Sequence, residues 1–120
     1  MAISNTKVVD TASKYIVKST GVGGEENEII VDAELLKDGT NKSKVSMIEC
    51  YYQIENRFPN LNGTLFFSAD SEENDKGLLL TGKYGLRPGQ LKFGNDKQIK
   101  ITTDLLVKSY LLVTEFRRNN

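Results

Sequence analysis

The chain has no histidine and no tryptophan, and it has one cysteine and two prolines in 120 residues. Each scarcity closes off a class of chemistry. Without histidine, the usual general base near neutral pH is missing, and so is the commonest metal ligand. Any catalysis would fall to carboxylates, lysine, tyrosine or the single thiol. One cysteine, Cys50, rules out an internal disulfide and fits a reducing compartment. Sixteen basic residues cancel sixteen acidic ones, so the cationic surplus that nucleic-acid binding draws on is lacking. No apolar run approaches the roughly 18 residues that a membrane-spanning helix needs. The opening MAISNTKVVD does not read as a secretory signal. The expectation is a protein made and kept in the cytoplasm, with neither nucleic acid nor membrane as its partner. The glycosylation patterns at 41–43 and 62–64 are then chance.

What is present is ordinary for one globular domain, 38% hydrophobic and 27% charged, and residues 1–120 read as a single unit. Apolar residues recur with period two along most of the chain, which marks strands rather than helices. KYIVKST (14–20) reads as a strand ending at GVGG. With NEIIVDA (27–33) it suggests a hairpin. AELLKDG (33–39) is a short helical turn or a strand end. KVSMIECYYQI (44–54) is the longest strand, with Ile48, Cys50, Tyr52 and Ile54 on one face and Val45, Met47, Glu49, Tyr51 and Gln53 on the other. ENRFPNLNG closes on Asn62-Gly63, a dipeptide typical of a type I′ turn. TLFFSA (64–69) and LLLT (78–81) are strands, and GKYGLRPG (82–89) reads as a glycine-punctuated loop. QLKF and QIKITT suggest a second hairpin. KSYLLVTEFRR (108–118), apolar on both faces at its centre, reads as a central strand. About eight strands with short connections predict an all-β, antiparallel β-sandwich of jelly-roll type.

Several motifs invite a sharper function. GLLLTGKY (77–84) matches G-x-x-x-x-G-K of a phosphate-binding loop. The small hydroxyl that should follow is Tyr84, three leucines replace the flexible cradle, and GLRPG cannot open a helix. DSEEND (70–75) is rich in carboxylates, but an EF-hand frame begun at Asp70 has Asp75 in place of glycine and Thr81 in place of glutamate. Glu49 and Glu115 sit within strands, and nothing in the sequence brings them together as a glycosidase pair. Cys50 lies on an apolar face and reads as a small core residue. The expectation is no catalytic residue, no cofactor and no metal.

Features suited to interaction remain. Residues 1–6 resemble an N-terminal arm whose Ile3 could help pair with a neighbour's sheet edge. Residues 117–120 form a tail that carries Arg117 and Arg118. Tyr51, Tyr84 and Arg87 are residue types favoured at interface hot spots, and Lys83 joins Tyr84 and Arg87 on the glycine-rich segment. The candidate partner-contact set is therefore Ile3, Tyr51, Lys83, Tyr84, Arg87, Arg117 and Arg118.

The order of features also carries a resemblance. KYIVKST, a glycine turn and NEIIVDAELL precede a central MIECYYQI. Then come TLFF, LLLTGKYG, IKITT and a closing SYLLVTEFR with Tyr110, Leu112 and Glu115. This progression, over about residues 7–118, resembles small virion structural proteins of tailed bacteriophages, including marine ones. The resemblance implies a non-enzymatic structural protein in the assembled particle, foremost a capsid decoration or cement protein. Such a protein would bind the major capsid protein or another virion protein and form homo-oligomers. The alternative is a tail- or neck-associated domain, structural or carbohydrate-binding.

Overall fold

The computed structural model describes residues 3–26, 28–69, 78–81, 84–88 and 97–119. Among them are nine strands: β1 (Ser4–Asp10), β2 (Lys14–Val22), β3 (Glu28–Asp32), β4 (Lys44–Asn56), β5 (Thr64–Ala69), β6 (Leu78–Thr81), β7 (Tyr84–Pro88), β8 (Gln98–Thr103) and β9 (Val107–Asn119). A single 3-10 turn, Ala33–Leu35, follows β3, with the Asp32 carboxylate accepting from the Glu34 N–H at 3.1 Å.

Every strand pairing is antiparallel. One sheet has the order β1-β2-β9-β4-β7 and the other β3-β8-β5-β6. With β1 set aside, two four-stranded sheets remain. The chain passes from one to the other at each connection except β5–β6. That is the jelly-roll winding, and β1 is an added edge strand.

The winding corrects one expectation. β2 and β3 are not a hairpin: β2 pairs with β1 and β9, and β3 pairs with β8. The glycine turn between them carries the chain across the sandwich. Gly24 takes φ of 83°, a left-handed conformation that favours glycine. Its N–H donates to the carbonyls of Thr103 and Asp104, both at 3.2 Å. Asn62-Gly63 is likewise no hairpin turn, because it joins strands of opposite sheets. The QLKF partner of the second expected hairpin lies outside the described residues.

The core lies between the sheets. Val17, Val45, Met47, Leu65, Phe67, Ile99, Ile101, Leu112 and Phe116 are all but inaccessible to water. Their period-two spacing within each strand is why the strands form as they do. β4 departs from the simple alternation. Its register against β9 shifts between Met47 and Glu49, so Ile48 is the extra residue of a β-bulge. The bulge turns Val45 and Met47 to the same side as Cys50 and Ile54, and all four are buried. The expected opposition of Val45 and Met47 to Cys50 is thereby overturned. The segment 82–89 was also expected as loop, and Tyr84–Pro88 instead pairs with β4 as an edge strand.

Residues 4–6 of the expected N-terminal arm belong to a sheet. β1 pairs along its length with β2, and Asn5 bridges to the other sheet through its Nδ2, which donates to the Ile29 carbonyl at 2.9 Å. Ser19 Oγ, buried beneath, donates to Asn5 Oδ1 at 2.6 Å. Residues 117–119 belong to β9 rather than to a tail. No helix among the described residues is long and apolar enough to cross a membrane.

Candidate interaction surface

The jelly-roll winding brings the β2–β3, β4–β5 and β8–β9 connections to one end of the sandwich. Polar groups there are spent on holding the loops to one another. Asp104 is the hub. Its Oδ2 accepts from the Thr64 N–H at 3.1 Å and from Thr64 Oγ1 at 2.8 Å, and its Oδ1 accepts from the Leu106 N–H at 3.0 Å. Arg57 clamps the same loop: its N–H donates to the Leu106 carbonyl at 2.8 Å and its Nε to the Leu105 carbonyl at 3.0 Å. Phe58-Pro59-Asn60-Leu61 forms a turn with proline at its second position, closed by the Leu61 N–H on the Phe58 carbonyl at 3.3 Å.

With the backbone so satisfied, large apolar side chains project outward. Phe58 is 49% exposed, Leu61 50% and Leu105 73%. Isolated exposed apolar residues are normal, but three on adjoining, hydrogen-bonded loops form a pre-ordered apolar end. Sequence reasoning missed it. Phe58 and Leu61 were absorbed into a loop, and Leu105 into the run between two strands. The one usable signal was that two large apolar residues flank a Pro-Asn turn.

Glu25 lies just inside this end and is buried. Its Oε1 accepts from the Tyr110 hydroxyl at 2.8 Å and from the Val22 N–H at 3.2 Å. Its N–H donates to Thr103 Oγ1 at 3.1 Å, so the residue joins both sheets. Its Oε2 is buried without a hydrogen-bond partner among the described residues. Burial, with Glu25 as hydrogen-bond acceptor and anionic neighbour, drives the Tyr110 hydroxyl well above the usual tyrosine range. Tyr15 is raised too, first by burial and then by Asp10.

The residues singled out from sequence scatter. Ile3 is half-buried and packs on the core rather than reaching outward. Tyr51 is 41% exposed on the outer face of the larger sheet, in register between Val113 and Leu86. Arg117 is exposed, opposite Lys14. Arg118 is a correction. Expected at an exposed end, its side chain is instead buried, because the alternation of β9 turns it inward onto Asp10. Tyr84 and Arg87 stand on β7 opposite Gln53 and Cys50. Lys83, and the side chains of Tyr84 and Arg87, lie outside the described residues.

Cys50 is buried with its Sγ accepting from Thr114 Oγ1 at 3.4 Å. Burial pushes its thiol up to about 12, partly offset by that hydrogen bond. It is a core residue, not a nucleophile at neutral pH. Leu78–Thr81 is strand β6, and a second strand begins at Tyr84, where a phosphate loop would need a helix. Residues 70–77, which include the acidic segment, lie outside the described residues. The described residues include no cluster of three or more His, Cys, Asp or Glu that could hold a metal ion. Glu49 and Glu115, which the sequence did not connect, are direct cross-strand partners. They stand on the outer face of a sheet.

Comparisons with protein-family models, with curated proteins and with solved structures each returned no match.

Proposed function

We propose that this chain is a non-enzymatic structural protein of a tailed-phage particle, most concretely a decoration protein that adheres to the capsid surface and oligomerises there. The observation that carries the proposal is the pre-ordered apolar end formed by Phe58, Leu61 and Leu105. Adhesion needs apolar anchors whose ordering cost has already been met in the free protein, and the braces from Asp104 and Arg57 meet that requirement. A jelly roll is also a frequent architecture of capsid proteins. That support is analogy at the level of fold, shared with lectins and cupins. The resemblance to small virion proteins points the same way.

A carbohydrate-binding role finds less support. Stacking on a sugar wants a flat platform of adjacent aromatics. Tyr51 and Tyr52 are consecutive in β4 and face opposite ways, Tyr51 outward and Tyr52 toward the core beside Gly85. The test is direct. Purified protein is mixed with expanded capsid shells, and binding is followed by sedimentation, with mass spectrometry of purified virions alongside. Co-sedimentation that weakens on Phe58→Ser and Leu105→Ser is expected. Absence from both shells and virions would overturn the proposal.

A further inference from the structure

We propose that Asn62 is a deamidation site held in check by Asn56, a positioning residue whose side-chain amide ties down both reacting groups. In an Asn-Gly dipeptide, hydroxide takes the glycine backbone proton. The freed nitrogen then attacks Cγ of the asparagine. A new C–N bond closes a five-membered imide. The Cγ–Nδ2 bond breaks, and Nδ2 leaves as ammonia with a proton from water. Water then adds to either imide carbonyl, opening the ring to aspartate or isoaspartate. Glycine favours the attack because it has no Cβ to obstruct it.

Asn62 is exposed and Gly63 follows it, so sequence and access favour this reaction. The native geometry opposes it. The Gly63 N–H, whose proton must be removed, donates to Asn56 Oδ1 at 2.8 Å, and Gly63 itself is buried against Val107. Asn56 Nδ2 donates to Asn62 Oδ1 at 3.3 Å, holding the electrophilic amide in place. A neutral amide oxygen is too weak a base to accept the proton outright, so the bond shields the N–H from hydroxide without activating the nitrogen. Attack then requires this end of the sandwich to open locally, as in amide hydrogen exchange. The conversion would place a negative charge, and in the isoaspartate product an extra backbone methylene, one residue beyond Leu61. It would alter the apolar end with age.

The experiment follows aspartate and isoaspartate at residue 62 by peptide mapping and mass spectrometry during incubation at mildly alkaline pH. It compares native protein, the same protein in urea, and the variants Asn56→Ala and Asn56→Asp. The native protein should convert several-fold more slowly than the protein in urea. Asn56→Ala should approach the faster rate while its circular dichroism remains that of a β-protein. Asn56→Asp keeps an acceptor for the Gly63 N–H but loses the donor to Asn62 Oδ1, so its rate should fall between those of the native chain and Asn56→Ala. Equal rates for native and urea-unfolded protein would overturn the proposal, as would a folded Asn56→Ala that converts no faster than the native chain. If Asn56→Ala does not fold, Asn56→Asp takes its place, and a folded Asn56→Asp that converts no faster than the native chain overturns the proposal.

Discussion

Arg118 Nη1 lies 3.1 Å from Asp10 Oδ1, and the two side chains are 1% and 6% exposed. The same guanidinium donates to the carbonyls of Thr11 and Lys37, each at 2.6 Å. Asp10 Oδ2 accepts the Lys37 N–H at 2.9 Å. One side chain near the end of β9 thus ties the β1–β2 turn to the segment after the 3-10 turn. Removing one partner leaves the other charged and buried, which typically costs about 3–5 kcal/mol. Arg118→Ala should therefore lower the unfolding free energy by that order, read as a lower urea midpoint with an unchanged m value. Arg118→Lys should recover part of the loss, because an ammonium cannot match the planar fork that reaches three separate acceptors. An Arg118→Ala midpoint within error of the native one would mean that the clamp contributes nothing.

Cys50 gives the fold an alkaline weakness. Its thiol is raised from 9.0 to about 12 in the folded protein, burial being the main cause. The folded state therefore holds its proton longer than the unfolded state. The associated stability is fully present below pH 9 and is lost as pH rises toward 12. The slope is about 1.4 kcal/mol per pH unit while only the unfolded thiol is ionised. Tyr110 and Tyr15 are raised also and act in the same direction at higher pH. Urea titrations across this range should show Cys50→Ala losing less stability with pH than the native chain. Parallel slopes for the two proteins would refute the assignment.

Gly23 sits where the β2–β3 connection crosses the sandwich end. A Cβ there would collide with the backbone carbonyl oxygen of Val107 and stand 2.6 Å from that of Asp104. Neither obstacle can swing aside as a side-chain tip would. Gly23→Ala should cost about 1–3 kcal/mol, the range for forced overpacking, measured as a lowered thermal or urea midpoint. Because β8–β9 must give way, exposure of Leu105 and the braces from Arg57 should change with it. Faster exchange of the Arg57 N–H would report this.

Most strands were legible because period two is written into them, and the apolar faces of β5, β8 and β9 announce a two-layer core; the edge strands β1 and β7, read as arm and loop, carry no such pattern. The winding was harder to read. A glycine turn between two alternating strands looks the same whether it closes a hairpin or arches across a sandwich, and GVGG did the second. Ile48 shows another limit. A bulge changes which residues share a face, yet it leaves no mark in composition, so Val45 and Met47 were set on the wrong side. Arg118 was misjudged for a physical reason as well. A charge close to the terminus suggests solvent, and only the return of β9 beside the β1–β2 turn brings it to Asp10, 108 positions away. The apolar end escaped notice because Phe58, Leu61 and Leu105 come from two loops, and only the fold brings those loops together through Arg57.

Glu49 and Glu115 stand directly opposite each other on β4 and β9, with no salt-bridge partner for either among the described residues. Like charges in that position repel, and opposite charges attract, with cross-strand pairs worth about 0.2–1 kcal/mol. Reversing one charge should therefore turn a penalty into a gain. Glu49→Lys places its ammonium opposite Glu115 at an exposed position of β4, where the longer side chain meets no packing limit. Its stability should rise by a few tenths of a kcal/mol in dilute buffer, and the gain should shrink as salt screens the pair. Glu115→Gln isolates the repulsive part: it removes one charge and adds no attraction, so its gain should be the smaller of the two. A Glu49→Lys gain that persists undiminished in molar salt would assign the effect to packing or strand propensity instead. A loss of stability would overturn the assignment of net repulsion to this pair.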